Sequence, residues 1–410
     1  MKVAGIKPLN SKSDVSDLAL FGGQPAFDDL VRVGRPNLGD RSRFLDRLNH
    51  TLDTRSFTND GPYVRELERN ISELTGAKHC IAVCNATVGL EIAIRASGLN
   101  GEVIIPSFTF VATAHALQWQ RIKPVFADVD LATHTIDPDS VRQQITSKTT
   151  GILGVHLWGR ACDVDALTEL AARHELSLLF DAAHAFGSSY RGQMVGNFGR
   201  AEVFSFHATK FINSFEGGAI VTNDDDLASK ARLMRNFGFA SPDETLYEGT
   251  NGKMSEVSAA MGLTSLESLD EFINVNRANH RSYSEALGGI DGVRVMPFDE
   301  DERHNYQYVV TEIEERADLL TRDQLQSVLL AENVMTRRYF YPGCHRLEPY
   351  RSLSAGVDAV LPNTERLSRT VLYFPTGTAV NPEAVERISQ IVRVAAASGA
   401  ELKDRLQHAG

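Results

Sequence analysis

The sequence predicts an α/β fold with a mostly parallel central sheet and helices on both of its faces. From about residue 63 to residue 222, short apolar runs alternate with stretches of helical periodicity. Strands separated by helices in this way are typical of βαβ units, which build parallel sheets. The runs are apolar throughout, as expected when helices cover both faces of each strand.

The predicted helices and strands follow one another in a regular order. The first helix, YVRELERNISELTG, ends at Gly76, a residue type that commonly follows the last turn of a helix. The helix PDSVRQQI has proline in its first turn, where a backbone N–H is not needed. The other predicted helices are TVGLEIAIRAS, FVATAHALQW and VDALTELAARH, and the predicted strands are HCIAVC, EVIIPS, PVFADV, GILGVHLWG, LSLLFDAA and EVFSFHA.

The pattern changes after about residue 255, which predicts a second and smaller domain. A long amphipathic stretch, MSEVSAAMGLTSLESLDEFINVNRANHRSYSEAL, predicts one long helix or two joined helices. The remainder mixes the predicted strands VRVMPF and NYQYVVTEI with the predicted helices RDQLQSVLLAEN and NPEAVERISQIVRVAAAS, an α+β arrangement. We therefore expect an N-terminal arm at 1–30, a large domain at 31–264 and a small C-terminal domain at 265–410.

Composition and charge exclude several classes of function. The net charge of −11 argues against binding to nucleic acid, which favours a basic surface. No run of about 18 apolar residues predicts a membrane span, and no stretch resembles a signal peptide. The spacing of the four cysteines does not match a zinc site, so we expect no metal, and thiols of this kind suit the cytoplasm. These cysteines are Cys80, Cys84, Cys162 and Cys344.

Well-known nucleotide and hydrolase motifs are also absent from the sequence. There is no G-x-x-x-x-G-K-[ST] loop and no strand-anchored G-x-G-x-x-G, which argues against nucleoside-triphosphate hydrolysis and dinucleotide redox chemistry. A G-x-S-x-G nucleophile elbow is missing too.

The carboxyl ends of the predicted strands carry three groups of interest, because ligands of open α/β sheets bind at that edge. Ala86 and Thr87 follow a strand and open a helix, which favours either a phosphate site or a simple helix cap at Thr87. Asp181 ends an apolar strand, where it either caps the next helix or faces a cationic nitrogen. Lys210 follows another strand and is either solvated or held inside a cleft.

Together these groups match the needs of pyridoxal phosphate. That cofactor requires a phosphate site, a lysine for the covalent linkage and an acid that keeps the pyridine nitrogen protonated. An amine in a desolvated cleft also has its pKa lowered, which frees it to act as a base.

Several ordered motifs carry a resemblance to a known family. They are FTNDGP at 57–62, EVIIPSFTFVATAHA at 102–116, DAAHAFG at 181–187, FSFHATK at 204–210, EGGAIVTND at 216–224 and NGKMSE at 251–256. From about residue 33 to about residue 395 the sequence resembles the DegT/DnrJ/EryC1/StrS sugar aminotransferases. The resemblance implies fold type I of the pyridoxal-phosphate enzymes, similar to aspartate aminotransferase. It also implies pyridoxal 5′-phosphate as cofactor, with pyridoxamine 5′-phosphate as its intermediate form.

The resemblance implies roles for the residues around the cofactor ring. Lys210 matches the lysine that carries the cofactor and moves protons between substrate and cofactor carbons. Asp181 matches the partner of the pyridine nitrogen. His184 matches the position beside the phenolic oxygen of the ring, where many relatives have glutamine. Phe110 matches the aromatic residue that stacks on the ring.

The resemblance also implies a phosphate site and a homodimer. Ser205, Ala86 and Thr87 match the family's phosphate contacts, although Asn85-Ala86-Thr87 stands where the family usually has Ser-Gly-Thr. Alanine still offers its backbone N–H at this position. Asn251 resembles an asparagine that the neighbouring subunit supplies to the phosphate, which implies a homodimer with shared active sites.

The segment RRYFYPGCHRLEPY is a candidate for substrate binding. Arg337 and Arg338 suit the diphosphate of a nucleotide, and Tyr339 and Tyr341 suit stacking or hydroxyl contacts. The alternative is a solvated pair of charges beside a packed aromatic turn.

The resemblance implies transfer of an amino group, with L-glutamate as the expected donor. VGRPN near residue 33, HATKF at 207–211 and GTNGKMSE at 249–256 resemble the branch that aminates C4 of dTDP-4-keto-6-deoxy-D-glucose for deoxyaminosugars of antibiotics or surface glycans. A C3 sugar aminotransferase is the main alternative. A sugar dehydratase is less favoured, since relatives of that kind have histidine in place of Lys210. A cofactor-binding regulator is the remote alternative, and no basic helix-turn-helix supports it.

Overall fold

The computed structural model describes residues 10–353 and 360–408, and its centre is a seven-stranded sheet. In chain order the strands are β1 (His79–Val83), β2 (Glu102–Pro106), β3 (Lys123–Ala127), β4 (Thr149–Val155), β5 (Ser177–Asp181), β6 (Ala201–Ser205) and β7 (Gly218–Thr222). Their order across the sheet is β1-β7-β6-β5-β4-β2-β3. Only β7 runs antiparallel to its neighbours, so the prediction of a mostly parallel sheet is confirmed.

Helices cover both faces of this sheet. Those of the first 266 residues are α1 (Arg41–Thr54), α2 (Pro62–Thr75), α3 (Ala86–Ala96), α4 (Val111–Gln118), α5 (Pro138–Gln144), α6 (Val164–Arg173), α7 (Asp225–Arg235) and α8 (Glu256–Leu266). Gly76 adopts the left-handed conformation directly after α2, as its position in the sequence predicts. Two short hairpins, Ser189–Tyr190 with Gln193–Met194 and Phe239–Ser241 with Glu244–Thr245, lie outside the sheet.

The apolar character of the strands reflects burial on both faces. In β1, Ile81 and Val83 point into one hydrophobic cluster, whereas Cys80 and Ala82 point into another on the opposite face. Every residue of β2, β6 and β7 is buried. Successive side chains of a strand alternate between the two faces of the sheet. When helices cover both faces, both sets of side chains are buried, so the strand does not alternate between apolar and polar residues.

The second domain packs helices on a small antiparallel sheet. Its strands are β8 (Val293–Val295), β9 (Val309–Ile313) and β10 (Val371–Phe374), with β9 in the middle. The sequence predicted that the long amphipathic stretch forms either one long helix or two joined helices. The structure shows two, α8 and α9 (Leu269–Leu287). The other helices are α10 (Arg322–Ala331), α11 (Pro362–Thr370), α12 (Pro382–Ala397) and α13 (Gly399–His408), and Tyr350–Leu353 forms one further helical turn.

The described part of the N-terminal arm packs against the second domain. Leu18 and Phe27 are fully buried in the same hydrophobic cluster as Tyr283 and Leu325. The two-residue strand Val31–Arg32 pairs in parallel with Val334–Met335. The arm therefore contributes to the core of the second domain, although the predicted domain boundaries stay predictions.

A buried ion pair joins the arm to the second domain. Lys12 Nζ lies 3.1 Å from Glu332 Oε2, and the two side chains are 1% and 0% exposed. The carboxylate of Glu332 also accepts hydrogen bonds from the backbone N–H groups of Ala19 and Ala26, each at 2.7 Å. Buried charges persist only when they are paired and hydrogen-bonded, so this cluster specifies where the arm docks.

The described residues contain neither a helix suited to span a membrane nor a group of side chains suited to bind a metal ion. Within 10–353 and 360–408, no helix is both long and apolar enough to cross a membrane. In the same part of the chain, no group of three or more His, Cys, Asp or Glu side chains is arranged to hold a metal ion.

We predict that Glu332→Ala lowers the free energy of unfolding by about 3 kcal/mol, because it leaves the Lys12 ammonium buried without a charged partner. Chemical denaturation followed by circular dichroism measures this loss. Glu401→Ala is the control, since it removes an exposed ion pair with Arg405 and is expected to cost less than about 1 kcal/mol. Equal losses in the two variants would contradict the docking role of the pair.

Candidate active site

The predicted site residues meet at the carboxyl edge of the parallel strands. Asp181 is the last residue of β5, Ser205 is the last residue of β6, and Lys210 follows β6 after a short turn. Ala86 begins α3 directly after β1. The charges of Asp181 and Lys210 lie close enough to act on each other. The structure thus brings together residues that are far apart in the sequence.

Asp181 is a buried carboxylate with one donor on each oxygen. Thr113 Oγ1 donates to Oδ2 at 2.8 Å, and the backbone N–H of Ala183 donates to Oδ1 at 3.1 Å. Burial raises the pKa of Asp181, whereas these two donors and the Lys210 charge oppose that shift. In the described structure no helix follows Asp181 before the next strand, so the alternative that it caps a helix is wrong, and its contact with a cationic nitrogen stays a prediction.

Lys210 lies in a cleft rather than in open solvent. Its Nζ donates a hydrogen bond to the hydroxyl of Tyr308 at 3.3 Å and lies 5.9 Å from the centre of that ring. Burial lowers the pKa of Lys210 from 10.5 to about 8, against the opposing charge of Asp181. The unprotonated amine that a nucleophile or base requires is therefore far more abundant near neutral pH than for an ordinary lysine.

His184 is held between an aromatic ring and a hydroxyl. It stacks on Trp158, with ring centres 5.5 Å apart, and its Nε2 lies 3.0 Å from the hydroxyl of Tyr308. Burial lowers the pKa of His184 well below its ordinary value, so the ring is neutral. When Lys210 is protonated, the hydroxyl of Tyr308 accepts from it and donates its own proton to Nε2, which leaves the ring proton on Nδ1. Within the described residues, this buried Nδ1 has no hydrogen-bond partner.

The first turn of α3 forms an open site for an anion. Asn85 caps this helix through its side chain, which accepts from the N–H of Val88 at 2.9 Å, so the alternative that Thr87 is the cap is wrong. The N–H groups of Ala86 and Thr87 have no acceptor within the helix, as in any first turn. Gly218 of β7 packs so closely that a Cβ there would lie 2.7 Å from the backbone oxygen of Phe204 in β6 and 2.9 Å from the nitrogen of Ala86.

Three further predicted cofactor contacts border this region. Ser205 is buried, and its hydroxyl lies 3.4 Å from the N–H of His207. Phe110 precedes α4 with its ring 56% exposed, which leaves one face free for stacking. Asn251 is exposed, and its backbone oxygen lies 4.0 Å from the sulfur of Cys84 in the same chain. Its expected role at the phosphate of a partner subunit stays a prediction.

Two of the four predicted substrate residues form a cluster on the surface of the second domain. Arg338 pairs with Asp323 at 3.1 Å, and its guanidinium lies 4.9 Å from the centre of the Tyr341 ring. Both Arg338 and Tyr341 are exposed. This arrangement matches the alternative of a solvated charge beside an aromatic turn.

The other two lie nearer the cofactor residues. The ring of Tyr339 packs 5.4 Å from that of Tyr373, which in turn lies 5.6 Å from the ring of Tyr308. Arg337 pairs with Tyr373 through its backbone and exposes its side chain. The packed rings of Tyr339, Tyr373 and Tyr308 connect this segment to Lys210, which contacts the hydroxyl of Tyr308. Substrate contacts of Arg337 and Tyr339 stay predictions.

The residues present fit pyridoxal phosphate. Asp181 offers a carboxylate to the ring nitrogen, and the unpartnered Nδ1–H of His184 offers a donor to the phenolic oxygen. The N–H groups of Ala86 and Thr87 suit the phosphate at the positive end of a helix. Lys210 supplies the amine for covalent attachment.

Tyr308, Thr113 and Trp158 are important contacts that the sequence alone did not reveal. Tyr308 belongs to a stretch read only as a strand of the second domain, and it reaches Lys210 across the boundary between the domains. Thr113 lies inside a predicted helix, and Trp158 lies in a predicted strand. The motif positions give one usable signal, because Thr113 stands three residues after the expected stacking residue Phe110.

Comparison with known proteins identifies the family. The model of the DegT/DnrJ/EryC1/StrS aminotransferase family matches residues 39–393. The dTDP-4-amino-4,6-dideoxy-D-glucose transaminase of Shigella dysenteriae is 35% identical over 363 residues, which cover 88% of this chain and 98% of the relative. The dTDP-3-amino-3,6-dideoxy-alpha-D-galactopyranose transaminase of Aneurinibacillus thermoaerophilus is 30% identical over 369 residues, covering 89% and 98%.

A solved structure supports the same conclusion. The structure of DesI in the presence of its TDP-sugar product matches with a TM-score of 0.92 and 50% identity, and the match covers 96% of this chain and 100% of that chain. The predicted fold type I architecture and the predicted cofactor, pyridoxal phosphate, are confirmed. The protein is a pyridoxal-phosphate-dependent aminotransferase of nucleotide-linked sugars. The chain belongs to the DegT/DnrJ/EryC1/StrS aminotransferase family.

Proposed function

We propose that this enzyme transfers an amino group from L-glutamate to C4 of dTDP-4-keto-6-deoxy-D-glucose in the biosynthesis of a deoxyaminosugar. The observation that carries the transamination chemistry is the Lys210 amine, held in a cleft with its pKa lowered to about 8 beside the carboxylate of Asp181. The assignment to C4 is supported by the likeness to the Shigella dysenteriae transaminase, whose product bears its amino group at that carbon.

Each residue of the site has a separate proposed role in the reaction. When bound, pyridoxal phosphate supplies an electron sink that stabilises negative charge on the carbon attached to nitrogen. Asp181 keeps the ring nitrogen protonated, which strengthens that sink. His184 donates from Nδ1 to the phenolic oxygen, and the first turn of α3 binds the phosphate. Lys210 would carry the cofactor and would move the proton at the reacting carbon of the substrate.

Tyr308 holds the Lys210 amine in place during this proton transfer. Its hydroxyl lies 3.3 Å from Nζ and 3.0 Å from Nε2 of His184, so one oxygen links the Lys210 amine to the residue beside the cofactor ring. Because this contact restricts the Lys210 side chain to few rotamers, less conformational entropy is lost when the amine takes part in proton transfer. The donor and the keto-sugar use the same site in turn.

Amination at C3 is a second candidate. The Aneurinibacillus thermoaerophilus relative, at 30% identity, is a 3-amino-sugar transaminase. A dehydratase is disfavoured by the presence of Lys210, and a regulatory role is disfavoured by the net charge of −11.

We also propose that the enzyme works as a homodimer whose sites are completed by Asn251 of the partner chain. Exposed aromatic side chains support this proposal. Phe237 and Phe239 are 45% and 40% exposed, and they lie one and three residues after Asn236, which pairs through its backbone with Asn251. Apolar rings exposed beside a functional residue are typical of a surface that another chain covers.

We predict that L-glutamate alone bleaches the visible absorbance band of the purified enzyme, and that dTDP-4-keto-6-deoxy-D-glucose restores the band. Absorbance spectroscopy in the two half-reactions measures both changes. Restoration by a 3-keto-sugar but not by the 4-keto-sugar would overturn the C4 assignment. Lys210→Ala is the control, because it removes the covalent band and the proton-transfer group together and should lower turnover by at least about 10²–10⁴-fold.

We predict that the rate at which apoenzyme links covalently to pyridoxal phosphate rises with pH and levels off above about 8. The reacting species is the unprotonated amine of Lys210, whose pKa burial lowers to about 8. Stopped-flow absorbance across a pH series measures this profile. A rate that keeps rising toward the ordinary lysine pKa of 10.5 would show that the amine is solvated instead.

We predict that Gly218→Ala weakens binding of pyridoxamine phosphate to the apoenzyme by about tenfold, because overpacking displaces the first turn of α3. Titration calorimetry measures this affinity. Gly289→Ala is a matched control, since Gly289 has a φ of +79° and open space around it, far from the site. It should lower stability by about 1 kcal/mol and leave the affinity unchanged. Unchanged affinity in Gly218→Ala would contradict the phosphate site.

A further inference from the structure

A line of buried hydroxyl groups leads to the carboxylate of Asp181. Thr113 Oγ1 donates to Asp181 Oδ2 at 2.8 Å, and Thr109 Oγ1 lies 3.0 Å from Thr113 Oγ1. Thr109, Thr113 and Asp181 are 2%, 0% and 6% exposed. Hydrogen bonds in so dry a place are stronger than in water, and losing one leaves a buried polar group without its partner.

The positions of the protons along this line follow from the chemistry of the groups. An ionised carboxylate can only accept, so the single hydroxyl proton of Thr113 points to Asp181. Thr113 therefore has only acceptor capacity left for Thr109, which must donate to it. Both dipoles point their positive ends toward the carboxylate, so the pair favours the ionised form of Asp181.

The hydroxyl of Thr113 does not follow the usual habit of threonine in a helix. Such side chains commonly bond to the backbone carbonyl four residues earlier, as Thr264 does to Ala260 at 2.8 Å in α8. Thr113 instead reaches a side chain 68 residues away, at the end of another strand. This contact therefore serves Asp181 rather than the local helix.

Thr109 is itself held in place by the second domain. The thiol of Cys344 lies 3.3 Å from the backbone oxygen of Thr109. The N–H of Cys344 donates to the backbone oxygen of Ser107 at 2.9 Å, and the N–H of His345 donates to the Ser107 hydroxyl at 3.1 Å. These contacts fix the segment that carries Thr109, so its hydroxyl has little freedom to turn away from Thr113.

We propose that Thr113, supported by Thr109, is a positioning residue that keeps Asp181 ionised and aimed at the ring nitrogen of the cofactor. This inference rests on the proposed role of Asp181. Burial favours the neutral form of Asp181, and in the described structure only Thr113 and the N–H of Ala183 are hydrogen-bond donors to its oxygens. Removing one of these two donors shifts the carboxylate toward protonation.

The test measures the affinity of apoenzyme for pyridoxamine 5′-phosphate, which binds without forming a bond to Lys210. Titration calorimetry is performed from mildly acidic to mildly basic pH on wild type, Thr113→Val, Thr113→Ser and Asp181→Asn. Thr113→Val keeps the shape of the side chain and removes its proton. We expect its affinity at neutral pH to fall about tenfold, the size expected for a hydrogen bond to a charged group.

The pH profile separates positioning from a general effect on structure. A carboxylate with a higher pKa takes up its proton at higher pH, so the acid loss of affinity should begin at higher pH in Thr113→Val than in wild type. Thr113→Ser keeps the donor and should stay within about threefold of wild type across the profile. Thr109→Val retains the direct bond to Asp181 and should weaken binding only about twofold to threefold.

The Asp181→Asn variant distinguishes failure of the role proposed for Thr113 from failure of the role proposed for Asp181. If Asp181→Asn loses affinity but Thr113→Val binds like wild type at every pH, the role of Thr113 is overturned and that of Asp181 stands. If Asp181→Asn itself binds like wild type, the proposed role of Asp181 fails, and this inference fails with it. If Thr113→Val and Thr113→Ser lose affinity equally with unchanged pH profiles, the contact is structural and the inference is wrong.

Discussion

The site depends on holding two oppositely charged groups in one desolvated cleft at the edge of the sheet. Burial raises the pKa of Asp181 and lowers that of Lys210, so each group is pushed toward its neutral form. Their mutual attraction and the donors around Asp181 oppose that tendency. The closely packed parallel strands make this balance possible, because they bring the last residue of β5 and the turn after β6 to one edge of the sheet.

The second domain completes the cleft and controls the direction of its side chains. The rings of Phe340 and His184 both stack on that of Trp158, at centre-to-centre distances of 5.3 Å and 5.5 Å, and lie 6.2 Å from each other. Tyr308 adds a hydroxyl that joins His184 to Lys210. The stack and this hydroxyl hold the His184 ring in place, and its Nδ1 has no hydrogen-bond partner within the described residues.

Local sequence patterns predicted the helices and strands well, but they did not predict which side chains contact one another. Gly76 marked the end of α2, and proline marked the start of α5, because these residues act through their own backbone. The cap of α3 could not be assigned with the same certainty, since Asn85 and Thr87 are both good capping residues and only the geometry selects Asn85. The packing of the arm depends on Lys12 reaching Glu332, a contact between residues at opposite ends of the chain that no local pattern encodes.

The sequence by itself determined the α/β fold, the family and the chemistry, because strand and helix periodicity are local and the motifs around Asp181 and Lys210 are distinctive. Tertiary structure alone decided that Tyr308 contacts both Lys210 and His184, that Thr113 donates to Asp181, and that Arg338 pairs with Asp323. The physical reason is that ionisation and hydrogen bonding depend on which groups share a desolvated space. That space forms only when strand ends and a second domain, distant along the chain, pack together.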